Sequence, residues 1–210
     1  AVYEQRDRLG LTAEQRTLLE DTYKGFVRNG VNLTGKAKRQ FAKNSERLSE
    51  LSQMMNQNVL ADNNGYVLHV TRQEDLSGLP ENVVAAAREE AQERNMEGWV
   101  FTLAYPSFGP FLTYADNRGL REQIWRAYNS RGNRGNGNDN NEVIREMTRL
   151  RLEQAQLLGY HNYSEYVLSD RMCETPKQLA DFFKQLMDAS LPFATRDLKE
   201  VSDFAKGMGA

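Results

Sequence analysis

Histidine is the residue type best suited to metal binding or acid–base chemistry at neutral pH, and the chain has only two, His69 and His161. Zinc-dependent hydrolysis often uses the helical motif H-E-x-x-H, in which two imidazoles bind the metal and the glutamate acts as base. His69 is followed by Val70 and His161 by Asn162, so neither histidine begins this motif. We therefore assign no catalytic or metal-binding residue, and we interpret both histidines as structural.

The other patterns that could bind a ligand or react are weak. Cys173 is the only cysteine, so no disulfide can form within the chain, and we expect a buried thiol. The Gly/Asn-rich segment 131–138 superficially resembles a phosphate-binding loop, but it follows a helical pattern and lacks a Gly-Lys-Ser/Thr ending. Arg131 and Arg134 could suggest RNA contact, but acidic residues follow them directly. We predict a flexible hinge or lid loop at 131–138.

Aromatic side chains cluster in one segment that also contains two prolines and a glycine. Extended peptides bind against aromatic walls, so this segment could line a peptide-binding groove. Ordinary packing of a loop onto the core is the alternative interpretation. The candidate substrate-channel residues are Tyr105, Phe108, Phe111, Tyr114, Asn117 and Arg118.

Composition and charge describe a well-solvated globular chain. Its 210 residues, 40% of them hydrophobic, are enough to bury a core. The 27 basic and 29 acidic residues nearly balance, so we expect neither a nucleic-acid partner nor a membrane partner. The apolar runs are far shorter than the roughly 20 residues that cross a bilayer. The first residues carry charge where a signal peptide would be apolar, which leaves the compartment, cytoplasm or periplasm, undecided.

Hydrophobic periodicity predicts a mainly α fold. Thr12 with Gln15, and Thr175 with Gln178, form capping-box patterns that begin the first and last helices. Apolar residues continue past Pro192, which predicts a kink there rather than a helix end. Four of the predicted helices cover about 13–28, 35–62, 163–171 and 176–206. A helix of about 14 residues follows Pro80, and a short helix begins at Arg118. A further helix is capped by Asp139 and Glu142 and closes at Gly159.

Two short strands are predicted among the helices. Alternating apolar residues indicate strands at about 66–71 and 99–103, and the helix between them makes a parallel pair with a helical crossover possible. The prolines of the segment 105–110 predict a turn-rich loop, with helix returning at about 111.

Several strings resemble one known family in order and spacing, from about residue 11 to 206. The most specific is the octapeptide FLTYADNR at 111–118. The chain resembles the thimet oligopeptidase and oligopeptidase A family of zinc metallopeptidases, and within it the bacterial peptidyl-dipeptidases, also called dipeptidyl carboxypeptidases. The other strings that carry the resemblance are 18–23, 48–51, 78–81, 120–122, 126–132, 138–140, 157–160 and 162–166.

The resemblance implies part of a larger, clam-like zincin fold whose two halves flank a channel for short peptides. The family's H-E-x-x-H helix and third zinc ligand lie C-terminal to the matching region, so no catalytic or metal residue carries over. We therefore expect a single helical segment, 1–210, truncated at both ends, inactive alone and without bound metal. The parent would be a zinc peptidyl-dipeptidase that removes C-terminal dipeptides, and its missing C-terminal catalytic half would be a partner of this segment.

A second hypothesis is a non-enzymatic helical protein-interaction module. The long helix at 35–62 carries a seam of apolar residues spaced alternately by three and four, which could bind a partner helix. Packing of the same seam inside a helical domain is the competing interpretation of that pattern.

Overall fold

The computed structural model describes residues 2–209, and it is mainly α-helical with a single two-stranded sheet in that range. The sequence-based prediction of fold class is therefore confirmed, while the larger clam-like fold stays a prediction. The elements are α1 (Ala13–Arg28), α2 (Gly35–Gly65), β1 (Leu68–Val70), α3 (Glu81–Glu93), β2 (Trp99–Phe101), α4 (Tyr105–Tyr114), α5 (Arg118–Asn129), α6 (Asn141–Leu157), α7 (Tyr163–Leu168) and α8 (Pro176–Gly207), with short 3-10 helices at Tyr3–Arg8 and Gln73–Leu76.

The two predicted capping boxes form at the starts of α1 and α8. The hydroxyl of Thr12 accepts a hydrogen bond from the backbone N–H of Gln15, whose side chain accepts one from the Thr12 N–H. Thr175 and Gln178 repeat the arrangement. Each box satisfies two backbone donors that have no partner within the helix. The helix α8 continues through Pro192.

The start of α6 differs from the predicted capping box. The helix begins at Asn141, and the Asp139 carboxylate accepts hydrogen bonds from the backbone N–H groups of Asn141 and Gly135, at 2.9 Å each. Glu142 pairs instead with Arg145 one turn further along the helix. Asp139 therefore orders the loop before the helix rather than capping its third residue.

The described residues form two compact units. The first comprises residues up to Asn44 together with those from Arg151 onward, and the second is Ser45–Leu150. In the first unit, Tyr3 stacks on Tyr23 with 3.6 Å between ring centroids. A guanidinium N–H of Arg28 in α1 donates to the carbonyl of Tyr166 in α7 at 2.7 Å.

The main core lies in the second unit, where α3, α4 and α5 pack around the sheet. Its most buried large side chains are Phe101, Leu103, Phe111 and Ile124, all 2% exposed or less. A smaller cluster joins the parts of α2 and α6 that belong to this unit, through Leu51, Val143, Met147 and Leu150, with Leu48 and Met55 beside them. The part of the α2 seam from Leu48 to Met55 is thus already occupied within the chain.

The strands β1 and β2 are antiparallel, so the predicted parallel pair is wrong. Leu68 pairs with Phe101 and Val70 with Trp99. The parallel prediction assumed that one helix makes the whole connection between the strands. The connection also contains the 3-10 helix at Gln73–Leu76 and a turn at Gly78, which reverse the chain once more before β2.

The segment 105–110 is helical, so the predicted loop is also wrong. Pro106 lies in the first turn of α4, where a backbone N–H would have no helical partner anyway, and its fixed φ suits a helix start. Pro110 removes only one internal hydrogen bond. Phe108 and Phe111, three residues apart, both enter the core from this helix, and their burial outweighs that loss.

Candidate peptide-binding surface on α4 and α5

The junction between α4 and α5 is fixed by a turn that packs directly against it. The backbone N–H of Asp116 donates to the Ser77 carbonyl at 2.9 Å, and the Ser77 hydroxyl donates to the Asp116 carboxylate at 2.6 Å. Gly78 has φ +85°, and a Cβ there would lie 2.1 Å from the Tyr114 carbonyl oxygen. Only glycine allows this approach, which holds the end of α4 in place.

Two of the six candidate channel residues are core residues. Phe111 is fully buried, with its ring edge-on to Phe101 at 4.5 Å between centroids. Phe108 is buried and stacks on Tyr128 at 4.0 Å. Neither ring presents a surface to a ligand in this structure, because each faces its own core neighbours. Both rings therefore pack into the core, and their part in a channel wall stays a prediction.

Asn117 has a structural role that explains its position. Its side-chain oxygen accepts a hydrogen bond from the Leu120 N–H at 3.1 Å and so caps α5. Its amide donates to the Asp75 carboxylate at 2.7 Å. Hydrogen bonds from Arg72 and then Asn117 hold the pKa of Asp75 below its ordinary value. Asn117 thus ties the start of α5 to the 3-10 helix.

The remaining three candidates, Tyr105, Tyr114 and Arg118, are exposed. Tyr105 at the start of α4 is 76% exposed and Tyr114 at its end is 52% exposed. Arg118 is the first residue of α5 and lies in solvent. Two phenol rings and one guanidinium group are therefore exposed within residues 105–118.

An open groove of about 520 Å³ lies where α4 meets α5. Leu112, Arg118, Arg121, Glu122 and Trp125 line it. Trp125 is 51% exposed, an unusual position for the largest apolar side chain. Sequence reasoning missed Trp125, although it falls outside the Leu120, Ile124, Ala127 stripe that faces the core, and that position indicates exposure.

The charged groups of the groove are mostly engaged with the protein itself. The Arg121 guanidinium donates to the carbonyls of Ala115 and Asp116. Glu122 pairs with Arg126 at 2.7 Å on the next helical turn. Arg118 has no hydrogen-bond or ion-pair partner within residues 2–209. It is the one cation of the groove available to a ligand among the residues that the structure describes.

The described residues do not fit a catalytic metal centre. Within 2–209, no group of three or more histidine, cysteine, aspartate or glutamate side chains could hold a metal ion. A ring nitrogen of His69 lies 2.6 Å from the Glu97 carbonyl, in agreement with a structural role, and His161 is exposed. Cys173 is half-buried rather than buried as expected.

The Gly/Asn loop is attached to a buried carboxylate that sequence reasoning did not identify. Asp62, near the end of α2, is 3% exposed. Its oxygens accept hydrogen bonds from the Gly132 N–H at 2.7 Å and from the amides of Asn136 and Asn138 at 3.0 and 2.9 Å. The Arg134 guanidinium lies 3.8 Å away. The four groups around Asp62 connect this segment to the end of α2. The flexibility of 131–138 stays a prediction.

The described residues contain no helix that is both long enough and apolar enough to cross a membrane.

The family model and the relatives that match this chain agree with one another. The family model for Peptidase family M3 matches residues 111–209, which begins at Phe111 in the middle of α4. Oligopeptidase A of Escherichia coli K12 is 35% identical over 93% of this chain and 29% of its own length. The organellar oligopeptidase A of Arabidopsis thaliana is 32% identical over 100% of this chain and 27% of its own length.

A relative with a different name is also similar. Dipeptidyl carboxypeptidase of Escherichia coli K12 is 28% identical over 96% of this chain and 30% of its own length. The chain therefore spans less than a third of the length of these relatives.

Proposed function

Because this chain belongs to peptidase family M3, we propose that it is a non-catalytic, peptide-binding part of a metallopeptidase. In this proposal it supplies one wall of a channel that admits short, extended peptides. The observation that carries the proposal is the open groove lined by Arg118 and Trp125 where α4 meets α5, with Tyr105 and Tyr114 exposed at the two ends of α4. Rigid elements with exposed aromatic rings bind extended chains with little entropic cost.

The metal of the intact peptidase is proposed to be zinc, held by residues outside this chain. Zinc sites need three or four converging histidine, cysteine or carboxylate ligands, and no such group exists within the described residues. No chemical step is therefore assigned to any residue of this chain. Its side chains would bind and orient the peptide, and this chain alone would be inactive.

The finer proposal is the removal of C-terminal dipeptides. The strings shared with peptidyl-dipeptidases support it, as does the similarity to the dipeptidyl carboxypeptidase of Escherichia coli K12. The relatives named oligopeptidase A are more similar, at 32 to 35% identity. Analysis of the products from a decapeptide with a blocked N-terminus and a free C-terminal carboxylate distinguishes the two: successive C-terminal dipeptides support the finer proposal, and interior cleavage limits the proposal to an oligopeptidase.

The helix α8 carries a large exposed apolar surface. Nine of its large apolar side chains are 51 to 72% exposed: Phe182, Phe183, Leu186, Met187, Leu191, Phe193, Leu198, Val201 and Phe204. A continuous apolar face of this size normally packs against another chain or domain. We propose that the catalytic half of the M3 peptidase covers it.

The interaction module is the second candidate function, and the same helix favours it. The part of the α2 seam at Leu48, Leu51 and Met55 packs against α6 inside the chain, so this part is not available to a partner helix. The exposed face of α8 could instead bind a non-peptidase partner. Zinc-dependent peptidase activity of the protein that carries this segment would support the first candidate and count against the second.

The test uses the M3 peptidase that contains this segment, with Tyr105 and Tyr114 both changed to serine. Each lost aromatic contact weakens binding by about 0.5–1.5 kcal/mol, so KM for a quenched fluorescent peptide should rise about tenfold. Zinc content, kcat and the urea unfolding midpoint should not change. Ile144→Ser is the matched control, because Ile144 is 49% exposed on α6, outside the proposed surface. An unchanged KM in the double variant would refute the assignment of the surface.

A further inference from the structure

The groove between α4 and α5 combines a free cation with an apolar wall. Arg118 has no protein partner in the described chain, while Trp125 is half exposed and Leu112 is partly exposed beside it. A planar guanidinium matches a carboxylate with two parallel hydrogen bonds. An indole face next to it suits an apolar side chain or a stacked guanidinium.

The local charge favours an anion. The groove is lined by two arginines and one glutamate, which sum to +1. Arg121 donates only to neutral carbonyl groups, so its positive charge is not compensated by those bonds. Glu122 is paired with Arg126 at 2.7 Å, so its negative charge is compensated by a cation that does not line the groove. A peptide carboxylate entering the groove would therefore meet a positive potential.

We infer that this groove binds the free C-terminal carboxylate of a peptide, with Arg118 as the carboxylate ligand and Trp125 packing against the last side chain. The inference rests on the proposed function and adds a specificity to it. A C-terminal carboxylate is the one anionic group that every unmodified peptide carries, so this recognition does not depend on peptide sequence. Arg118 acts in binding and takes no part in bond cleavage.

The experiment compares two forms of one peptide, an alanine pentapeptide ending in leucine, as free acid and as C-terminal amide. Binding to the dilute chain is followed by tryptophan fluorescence, since Trp125 lies in the groove and the peptide has no aromatic residue. The free acid should bind about three- to tenfold more tightly than the amide at low salt. The difference should shrink as salt screens the exposed charges.

Arg118→Gln should weaken binding of the free acid to the level of the amide and leave amide binding unchanged. Arg88→Gln is the matched control, because Arg88 is an exposed arginine on α3 that does not line the groove. This control should keep the preference for the free acid.

Equal binding of acid and amide to the unaltered chain, or a preference that survives Arg118→Gln, would overturn the inference. If Tyr114→Ser still weakens both peptides in that case, the proposed peptide-binding function stands without it. If neither peptide changes the fluorescence or binds by calorimetry, both the inference and the assignment of the surface fail.

Discussion

Asp62 gives the sharpest prediction about how the chain is held together. Asp62→Asn keeps the shape of the side chain but replaces one acceptor oxygen with an NH₂ group. The backbone N–H of Gly132 contacts one oxygen, and the amides of Asn136 and Asn138 contact the other. Whichever way the new amide turns, at least one buried donor faces another donor.

The magnitude follows from the bonds that are lost. Hydrogen bonds to a charged group contribute about 1.5–3 kcal/mol each, so Asp62→Asn should lower the free energy of unfolding by about 2 kcal/mol. Asp62→Ala loses all three bonds and leaves the buried Gly132 N–H unpaired, which should cost about 3–5 kcal/mol. The Gly132 carbonyl also accepts a hydrogen bond from the Asn140 N–H at 2.7 Å, which holds this part of the backbone beside Asp62.

The pH dependence gives an independent check of the same carboxylate. Burial is the largest influence and raises the pKa of Asp62, but hydrogen bonds from Asn138, Asn136 and Gly132 together outweigh it. The pKa is therefore below its ordinary value, and the native state binds fewer protons than the unfolded chain. This stabilisation is complete above about pH 4 and is lost as pH falls through the native pKa. Asp62→Asn should remove that part of the acid sensitivity.

The assay is urea unfolding, combined with hydrogen exchange at the Gly132 amide. Glu89→Gln, which removes an exposed carboxylate on α3, is the control and should change stability by less than about 0.5 kcal/mol. Equal unfolding midpoints for Asp62→Asn and the unaltered chain, with unchanged exchange at Gly132, would refute the reasoning. They would also leave 131–138 as the flexible loop that its sequence suggests.

Three further predictions concern the core, the turn and α8. Ile124→Ala should lower the free energy of unfolding by about 2–5 kcal/mol, because Ile124 is fully buried; Ile144→Ala, at an exposed position, should cost much less by urea unfolding. Gly78→Ala should cost at least about 2 kcal/mol, since its Cβ would strike the Tyr114 carbonyl, whereas Gly137→Ala, which meets open space, should be nearly neutral in the same assay. The exposed apolar face of α8 should make the chain self-associate at high concentration in sedimentation velocity, and Phe183→Ser with Leu186→Ser should reduce that association without moving the unfolding midpoint. A monomer at every concentration, or association that the two substitutions leave unchanged, would contradict this prediction.

The helices were predictable because their signals are local. A capping box such as Thr175 with Gln178 is written in four consecutive residues and forms as the sequence indicates. The apolar stripe of α5, with Ile124 and Ala127 buried, repeats at helical spacing and needs no knowledge of the partner surface.

The strand direction and the start of α4 were not predictable in the same way. Whether β1 and β2 run antiparallel depends on how many reversals the connection makes, and the 3-10 helix at Gln73–Leu76 leaves little trace in the sequence. At Pro106 and Pro110, the local preference for a turn is overridden by burial of Phe108 and Phe111. Tertiary packing decided both outcomes.

The candidate surface shows the same difference between features that a local sequence pattern predicts and features that only tertiary packing decides. The sequence singled out the segment 105–118 as a candidate, but only the structure separates buried Phe111 from exposed Tyr114. Trp125 joins Arg118 across nearly two helical turns of α5, and the groove needs Leu112 from α4 to complete it. The Asp62 contacts with 131–138 link residues about 70 positions apart, a separation that no local pattern records.

Photo-crosslinking tests the central claim most directly. A short peptide carrying a benzophenone side chain is irradiated with the chain, and the attachment sites are mapped by mass spectrometry. Peptide binding on α4 and α5 predicts crosslinks concentrated between residues 105 and 125, competed by unlabelled peptide and reduced by changing Tyr105 and Tyr114 to serine. Crosslinks concentrated elsewhere, or unaffected by the two substitutions, would contradict the account.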